Sequence, residues 1–123
     1  MGLSNRDRAL QVGRCLAVKF PAPYPVNIRI VKKLAALPGS TRMQQRTGDH
    51  GETYWEGRKI TILLVINPCV RWAQILDTLL HEWAHATVTF NEVSPHDDEW
   101  ALMYGQIYRW FVDEGGDAIS KTF

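Results

Sequence analysis

The spacing of apolar residues divides the chain into segments with different periods. Apolar side chains recur at helical spacing between residues 5 and 19, and Ser4 precedes them as a capping residue, so the sequence predicts an N-terminal helix there. Proline has no backbone N–H, and the prolines of residues 21–25 therefore end this helix. Residues 26–31 alternate between apolar and polar side chains and predict a strand.

A polar segment precedes a predicted hairpin. Residues 38–51 are mostly polar and contain three glycines, so we interpret them as a loop. Next, Glu52–Trp55 and Lys59–Asn67 flank a turn around Gly57 and predict two antiparallel strands, of which the second is long and apolar. Pro68 ends the second strand because it cannot donate a hydrogen bond to the sheet.

Two helices are predicted in the last part of the chain. From about residue 70 to residue 90 the apolar period is helical, and a further helix is predicted to start with Ser94 as its cap and to end near Glu114, before two glycines. The order of elements predicts an α+β fold: an N-terminal helix, a small mixed or antiparallel sheet of about three strands, and two further helices. The length predicts a single domain that spans residues 1–123.

The net charge of +1 conceals an uneven distribution of charged residues. Residues 1–60 contain 11 Lys and Arg against 4 Asp and Glu, whereas residues 61–123 contain 3 against 9. A basic surface on the first half would make a polyanion such as DNA a candidate partner. The basic residues form no unbroken run, however, and solvated faces balanced by the acidic half are the simpler interpretation. The candidate contacts are Arg6, Arg8, Lys32 and Lys33.

Nothing in the sequence predicts a membrane association or a secretory signal. The longest apolar stretch, residues 62–66, is far too short to span a bilayer, and no apolar run follows the charges at the N-terminus. The two cysteines, Cys15 and Cys69, form no CxxC motif. We therefore expect a cytoplasmic protein with reduced thiols.

The residues His81-Glu82-Trp83-Ala84-His85 form an HExxH motif inside the helix predicted over residues 70–90. Residues four apart lie on one face of a helix, so His81 and His85 can direct their imidazoles at one metal ion. Zn²⁺ accepts neutral imidazole nitrogens and prefers four ligands. Glu82 lies next to the first histidine, where its carboxylate can take a proton from a water that the metal has made more acidic. The motif predicts one bound zinc ion and assigns Glu82 as the general base.

A catalytic zinc site with two histidines and a water needs one more protein ligand. His96 is the leading candidate, because it lies eleven positions after His85, just inside the second predicted helix, which a short connection would fold back against the first. Glu99, one turn further along that helix, is the alternative and would complete a site with two histidines and one carboxylate. The remaining candidates are Asp97, Asp98 and His50.

The segment HEWAHA followed by HDDEWALM resembles the SprT-like zinc metalloproteases, whose pattern is HExxHA and then HGxxW or HGxxF at the opening of a second helix. The resemblance implies a zincin-like fold with His81, His85 and His96 as zinc ligands, Glu82 as general base and Trp100 as a packing aromatic residue. This sequence departs from the pattern in having Asp97 where those proteins usually have Gly, and in a short gap between the two motifs. Many proteins of this family act on proteins bound to DNA.

In zincins, a strand at the edge of the sheet pairs with the extended backbone of the substrate, and we expect the hairpin over residues 52–67 to provide that edge. Peptide hydrolysis also requires stabilisation of the oxyanion. Tyr104, Tyr108 and Arg109 of the last helix are weaker candidates for that role. Asp77, four positions before His81, is a candidate acceptor for the second ring N–H of that histidine.

The function that the sequence predicts is a zinc metalloendopeptidase with a protein or peptide substrate. The alternative, from a different class, is a non-catalytic zinc-stabilised module that binds DNA or protein, in which the same histidines hold a structural metal. Structural zinc sites are closed by four protein ligands, whereas catalytic sites keep one position open. The ligand set around the metal therefore distinguishes the two functions.

Overall fold

The computed structural model describes residues 3–34, 43–47, 50–88 and 96–113. Within these ranges the chain forms three helices and four strands, in the order α1, β1–β4, α2, α3. The helices are α1 (Asn5–Lys19), α2 (Trp72–Thr87) and α3 (Asp98–Asp113). The strands are β1 (Val26–Val31), β2 (Met43–Thr47), β3 (Gly51–Glu56) and β4 (Lys59–Val65).

The described strands form one mixed sheet in the order β1-β4-β3-β2. β1 runs parallel to β4, from the pair Val26↔Ile60 to the pair Val31↔Val65. The β3–β4 and β2–β3 pairs are antiparallel. The predicted α+β class, with an N-terminal helix, a small mixed sheet and two later helices, is confirmed.

Strand β2 corrects the prediction of a continuous loop over residues 38–51, because Met43–Thr47 pairs with β3 along its whole length. Its sequence, Met-Gln-Gln-Arg-Thr, lacks the alternation of apolar and polar residues that marks a half-buried strand. An edge strand of this kind depends on backbone hydrogen bonds to its neighbour, which leave no pattern in the side chains.

The position of β2 also corrects the prediction that the hairpin provides the edge of the sheet. β3 lies between β2 and β4, and β4 lies between β3 and β1, so both hairpin strands are interior. The edge next to β3 is β2, which also contacts helix α2.

The hairpin itself forms as predicted, with a two-residue turn. Glu56 pairs with Lys59, and Gly57 between them has a φ of 60°, which the first central position of a type II′ turn requires. β4 ends at Val65 rather than at the predicted Asn67. The side chain of Asn67 instead turns the chain out of the sheet, since its Nδ2 donates to the carbonyl of Lys32 (2.9 Å) and its Oδ1 accepts from the backbone N–H of Cys69 (2.8 Å).

Helix α1 begins as predicted, because the hydroxyl of Ser4 accepts a hydrogen bond from the backbone N–H of Asp7 (3.1 Å). Its C-terminal end is held by α2. The indole Nε1 of Trp83 donates to the carbonyl of Phe20 (2.8 Å). Carbonyls at the end of a helix have no hydrogen-bond partner within the helix. The indole of Trp83, which occupies the first x position of the HExxH motif, provides a donor for one of them.

Helix α3 begins later than predicted. It starts at Asp98, and Asp97 is its cap: the Oδ1 of Asp97 accepts from the N–H of Trp100 (3.0 Å) and its carbonyl accepts from Ala101 (2.9 Å). His96 therefore precedes the helix instead of lying just inside it. The predicted cap, Ser94, and the two glycines expected to end the helix lie outside the described residues. Within the described residues, α3 extends to Asp113.

The hydrophobic core lies between the sheet and the helices α1 and α2, and α3 packs against α2. Alternate residues of β4 point into it, as expected for a strand with one core-facing side. No helix in the described part of the chain is both long and apolar enough to cross a membrane. The largest fully buried apolar side chains are those of Trp83, Leu16, Ile60, Ile62, Leu64, Ile75, Leu79, Leu80 and Ile107.

Candidate metal centre

The structure brings three imidazoles together at one point between α2 and the start of α3. The Nε2 atoms of His81, His85 and His96 lie 3.2 Å from one another in all three pairs. Among the described residues, they form the group of side chains that could hold a metal ion. His81 and His85 lie one helical turn apart on α2, and His96 comes from the residues that lead into α3.

The spacing of the three nitrogens fits a zinc ion. Ligand nitrogens 2.0–2.1 Å from a tetrahedral zinc are separated by about 3.3 Å, close to the 3.2 Å seen here. The donor set is also suitable, because imidazole nitrogen is a preferred zinc ligand. Three histidines leave a fourth position for water or substrate, the arrangement typical of catalytic zinc.

Burial keeps two of these imidazoles neutral. It lowers the pKa of His81 to about 4, an effect that the neighbouring His96 strengthens and the nearby Asp77 carboxylate opposes. Burial likewise lowers the pKa of His85 to about 3, and the two other imidazoles add to this effect against the opposing charge of Asp97. Near neutral pH both rings are therefore uncharged, the form in which imidazole binds a metal.

The indole of Trp100 supports all three imidazoles. Its ring centroid lies 4.8 Å from that of His81, 5.3 Å from that of His85 and 4.6 Å from that of His96. It is nearly parallel to the His85 ring, at an interplanar angle of 26°. Its Nε1 donates a long hydrogen bond (3.4 Å) to the carbonyl of His81, which ties the first turn of α3 to α2. The packing of Trp100 therefore contributes to fixing the position of His96.

The carboxylate of Glu82 lies between α2 and β3. Glu82 is 0% exposed, and its Oε1 accepts a hydrogen bond of 2.6 Å from the hydroxyl of Thr53, which is also 0% exposed. The strand approaches the helix closely here because position 51 has no side chain. A Cβ at Gly51 would lie 2.5 Å from Cγ2 of Thr78 and 3.1 Å from Cγ of Glu82.

The alternative third ligand, Glu99, is exposed on α3 and is not part of the histidine cluster. Asp98 is exposed as well, and Asp97 caps the helix. The imidazole Nε2 of His50 lies 3.3 Å from the side-chain amide nitrogen of Gln74, away from the cluster.

The tyrosines of α3 form a stack that starts at the histidines. The ring of Tyr104 lies 5.7 Å from that of His81 and stacks on Trp100 at an interplanar angle of 19°. Its hydroxyl donates a hydrogen bond to Oδ1 of Asp77. Burial raises the pKa of Tyr104, and this hydrogen bond raises it further, so the phenol stays protonated. Tyr108 continues the stack on Tyr104 and is half exposed.

Arg109, a candidate for stabilising the oxyanion, and Asp77, the predicted acceptor for the ring N–H of His81, have other partners in the structure. The guanidinium of Arg109 is largely in solvent, 3.6 Å from the carboxylate of Asp113. The hydrogen bond of Asp77 runs to the hydroxyl of Tyr104, while its charge acts on His81 through space. Asp77 thus links α2 to the tyrosine stack of α3.

The sequence does not predict the contact of β3 with Glu82. Two residues of this strand, Gly51 and Thr53, lie against that side chain. They are two positions apart and therefore lie on the same face of the strand. A glycine inside a strand often marks a close approach of another backbone, so Gly51 is the one feature of the sequence that indicates this contact. It does not identify the approaching element, which is α2.

Comparison with protein families identifies a match over most of the chain. The model of the SprT-like family matches residues 18–120, most of the chain, and this range includes the three histidines and Glu82. Comparisons with the curated proteins and with the solved structures gave no match.

Loss of one imidazole should abolish tight zinc binding. We expect the wild-type chain to bind one zinc ion, and His85→Ala to bind it at least about 100-fold more weakly, since even residues that only orient a ligand contribute 10- to 100-fold. Competition with a chromophoric chelator measures the affinity, and elemental analysis gives the stoichiometry. His50→Ala is the matched control, because His50 lies outside the cluster. Equal affinity in His85→Ala and wild type would contradict the site.

The chain stripped of metal with a chelator should lose stability as the pH falls from about 6.5 towards 4. The pKa values of His81 and His85 in the folded chain lie below 6.5, the pKa of an unperturbed histidine, so the unfolded chain takes up protons first on acidification. The stabilisation is complete above pH 6.5 and declines as the pH falls through this window. Urea denaturation at several pH values measures it. In the double variant His81→Gln/His85→Gln the decline should be shallower, and an unchanged slope would refute the assignment.

Proposed function

We propose that this chain, which belongs to the SprT-like family, is a zinc-dependent metallopeptidase. The observation that carries the proposal is the cluster of three imidazoles with zinc-ligand spacing, on the helix where the buried Glu82 directly follows His81 in the sequence. Zinc, when bound, polarises a peptide carbonyl and lowers the pKa of a water molecule at the site.

The chain's own residues account for the proton transfers of peptide hydrolysis. The carboxylate of Glu82 accepts the proton of the water that attacks the carbonyl carbon, and gives a proton to the amide nitrogen as the C–N bond breaks. Burial of Glu82 supports this role, because a carboxylate in a site that excludes bulk water interacts more strongly with a developing charge. His81, His85 and His96 hold the metal in this scheme.

The alternative function, a zinc-stabilised binding module, would require a site closed by four protein ligands. Over the residues that the structure describes, the cluster contains three histidines, and Glu99, the alternative ligand, lies outside it. This ligand count supports the peptidase over the structural site.

We infer that the substrate backbone lies along β2. This strand is at the edge of the described sheet and contacts α2, the helix that carries the HExxH motif. An edge strand offers unpaired backbone N–H and C=O groups with which an extended peptide can pair. Recognition through the main chain gives broad specificity for the side chains of the substrate.

We further propose that DNA contacts the basic surface at the end of β1. Arg6, Arg29 and Lys32 line a depression of about 480 Å³ whose other described lining residues are all aliphatic. Arg8, one of the candidate contacts, lies over the ring of Trp72 instead. Arg6, Lys32 and the exposed Lys33 thus remain as candidate contacts, and Arg29 joins them.

Replacement of the general base should strongly reduce peptide cleavage and leave the metal site intact. We expect Glu82→Gln to lower kcat by roughly 10²- to 10⁴-fold, the usual contribution of general-base catalysis, without loss of zinc. The assay uses unfolded proteins and proteins cross-linked to DNA, and gel electrophoresis measures cleavage. Glu99→Gln, which changes an exposed acid of α3, is the matched control and should retain activity. Wild type and Glu82→Gln with the same absence of cleavage would refute the peptidase function.

Removal of basic side chains at the end of β1 should weaken DNA binding in a salt-dependent way. We expect Arg6→Ala/Lys32→Ala to reduce the slope of log affinity against log salt by about 1 to 2, because each lost phosphate contact removes about 0.7–0.9. Fluorescence anisotropy with a labelled oligonucleotide at several salt concentrations measures the slope. Arg58→Ala/Lys59→Ala removes two exposed charges at the hairpin turn and should leave it unchanged. A slope reduced equally in both variants would contradict this surface.

A further inference from the structure

A hydroxyl from the sheet contacts the side chain of the general base. The Oγ1 atom of Thr53 lies 2.6 Å from Oε1 of Glu82 and 3.2 Å from the carbonyl oxygen of the same residue. A hydroxyl has one proton to donate, and the shorter distance and the charge of the carboxylate favour Oε1 as its acceptor. The carboxylate is therefore attached to β3 as well as to its own helix.

This hydrogen bond is shielded from solvent, which increases its effect. Thr53 and Glu82 are both 0% exposed. Hydrogen bonds to charged groups are stronger than those between neutral groups, and a buried one has no competition from bulk water. Without the hydroxyl, Oε1 of Glu82 would lose this hydrogen bond, which restrains the rotation of its carboxylate.

The glycine two positions earlier completes the arrangement on the same face of β3. A Cβ at Gly51 would lie 3.4 Å from Oε2 of Glu82, in addition to its closer contacts with Cγ of Glu82 and with Thr78. Gly51 thus provides the space that Glu82 occupies, and Thr53 provides the bond that orients it. A larger residue at position 51 would separate the strand from the helix and lengthen that bond.

We propose that Thr53 is a positioning residue for the general base: its hydroxyl holds the Glu82 carboxylate in one orientation, with Gly51 giving the strand the close approach to α2 that this bond needs. The proposal rests on the peptidase function for its kinetic consequences. Its structural consequence, one fixed carboxylate orientation, does not depend on activity.

The kinetic experiment compares Thr53→Val, which has nearly the same shape without the hydroxyl, with Thr53→Ser, which restores the hydroxyl. We expect Thr53→Val to lower kcat by about 10- to 100-fold, the range for a hydrogen bond to a charged group, with little change in KM. Thr53→Ser should recover most of the wild-type kcat. In a Glu82→Gln background, Thr53→Val should cause no further loss, because the group that it positions is already replaced.

Thr78→Val is the matched control. Thr78 is a neighbouring buried threonine, but its hydroxyl donates to the carbonyl of Gln74 (2.8 Å) and not to Glu82. We expect this variant to keep the wild-type kcat. An equal loss of kcat in Thr53→Val and Thr78→Val, a wild-type kcat in Thr53→Val, or a Thr53→Ser as inactive as Thr53→Val would each overturn the proposal.

Crystal structures and zinc titrations of the same variants supply the readout that does not depend on catalysis. Thr53→Val should bind zinc as wild type does, while its Glu82 carboxylate should rotate or occupy more than one orientation. If the wild-type protein cleaves nothing, the peptidase function fails, and the orientation of Glu82 in Thr53→Val still decides the role of Thr53. A carboxylate with the wild-type orientation in that variant would overturn the proposal.

Discussion

Helix α2 must bury a carboxylate and an imidazole in the same helix that supplies apolar side chains to the core, and the neighbouring elements are arranged around that constraint. Glu82 is 0% exposed and His85 2% exposed. An unpaired buried charge costs several kcal/mol, of the order of a domain's whole stability. His85 avoids this cost because burial keeps it neutral, and Glu82 accepts a hydrogen bond from the hydroxyl of Thr53. Apolar neighbours such as Leu79 and Trp83 hold the helix in place.

Most elements of the fold follow from local patterns in the sequence. Helix α1 could be predicted from Ser4 and the apolar period after it, and the hairpin from Gly57 between two apolar runs. β2 could not, because residues 43–47 are mostly polar and their pairing with β3 uses the backbone. The predicted start of α3 was too early, because both Ser94 and Asp97 are residue types that cap helices. In the structure Asp97 caps the described helix.

The same distinction between local and distant contacts separates the parts of the site. His81, Glu82 and His85 lie within five consecutive residues, so the geometry of one helix predicts that they share a site. Thr53 is 29 positions from Glu82, and their contact depends on how α2 packs on the sheet. No periodicity encodes that packing. Gly51 indicates only that something approaches the strand.

The three imidazoles and the Glu82 carboxylate are therefore positioned by two different contacts of α2. The third imidazole, His96, lies directly before Asp97, which caps α3 at the position where the family usually has Gly. A negative charge is favourable at a helix N-terminus, so Asp97 stabilises the turn that carries His96. Trp100 then packs that turn against α2. The carboxylate of Glu82, by contrast, depends on β3. A change in the distance between α2 and the sheet thus displaces the Glu82 carboxylate, whereas a change in the packing of α3 displaces the imidazole of His96.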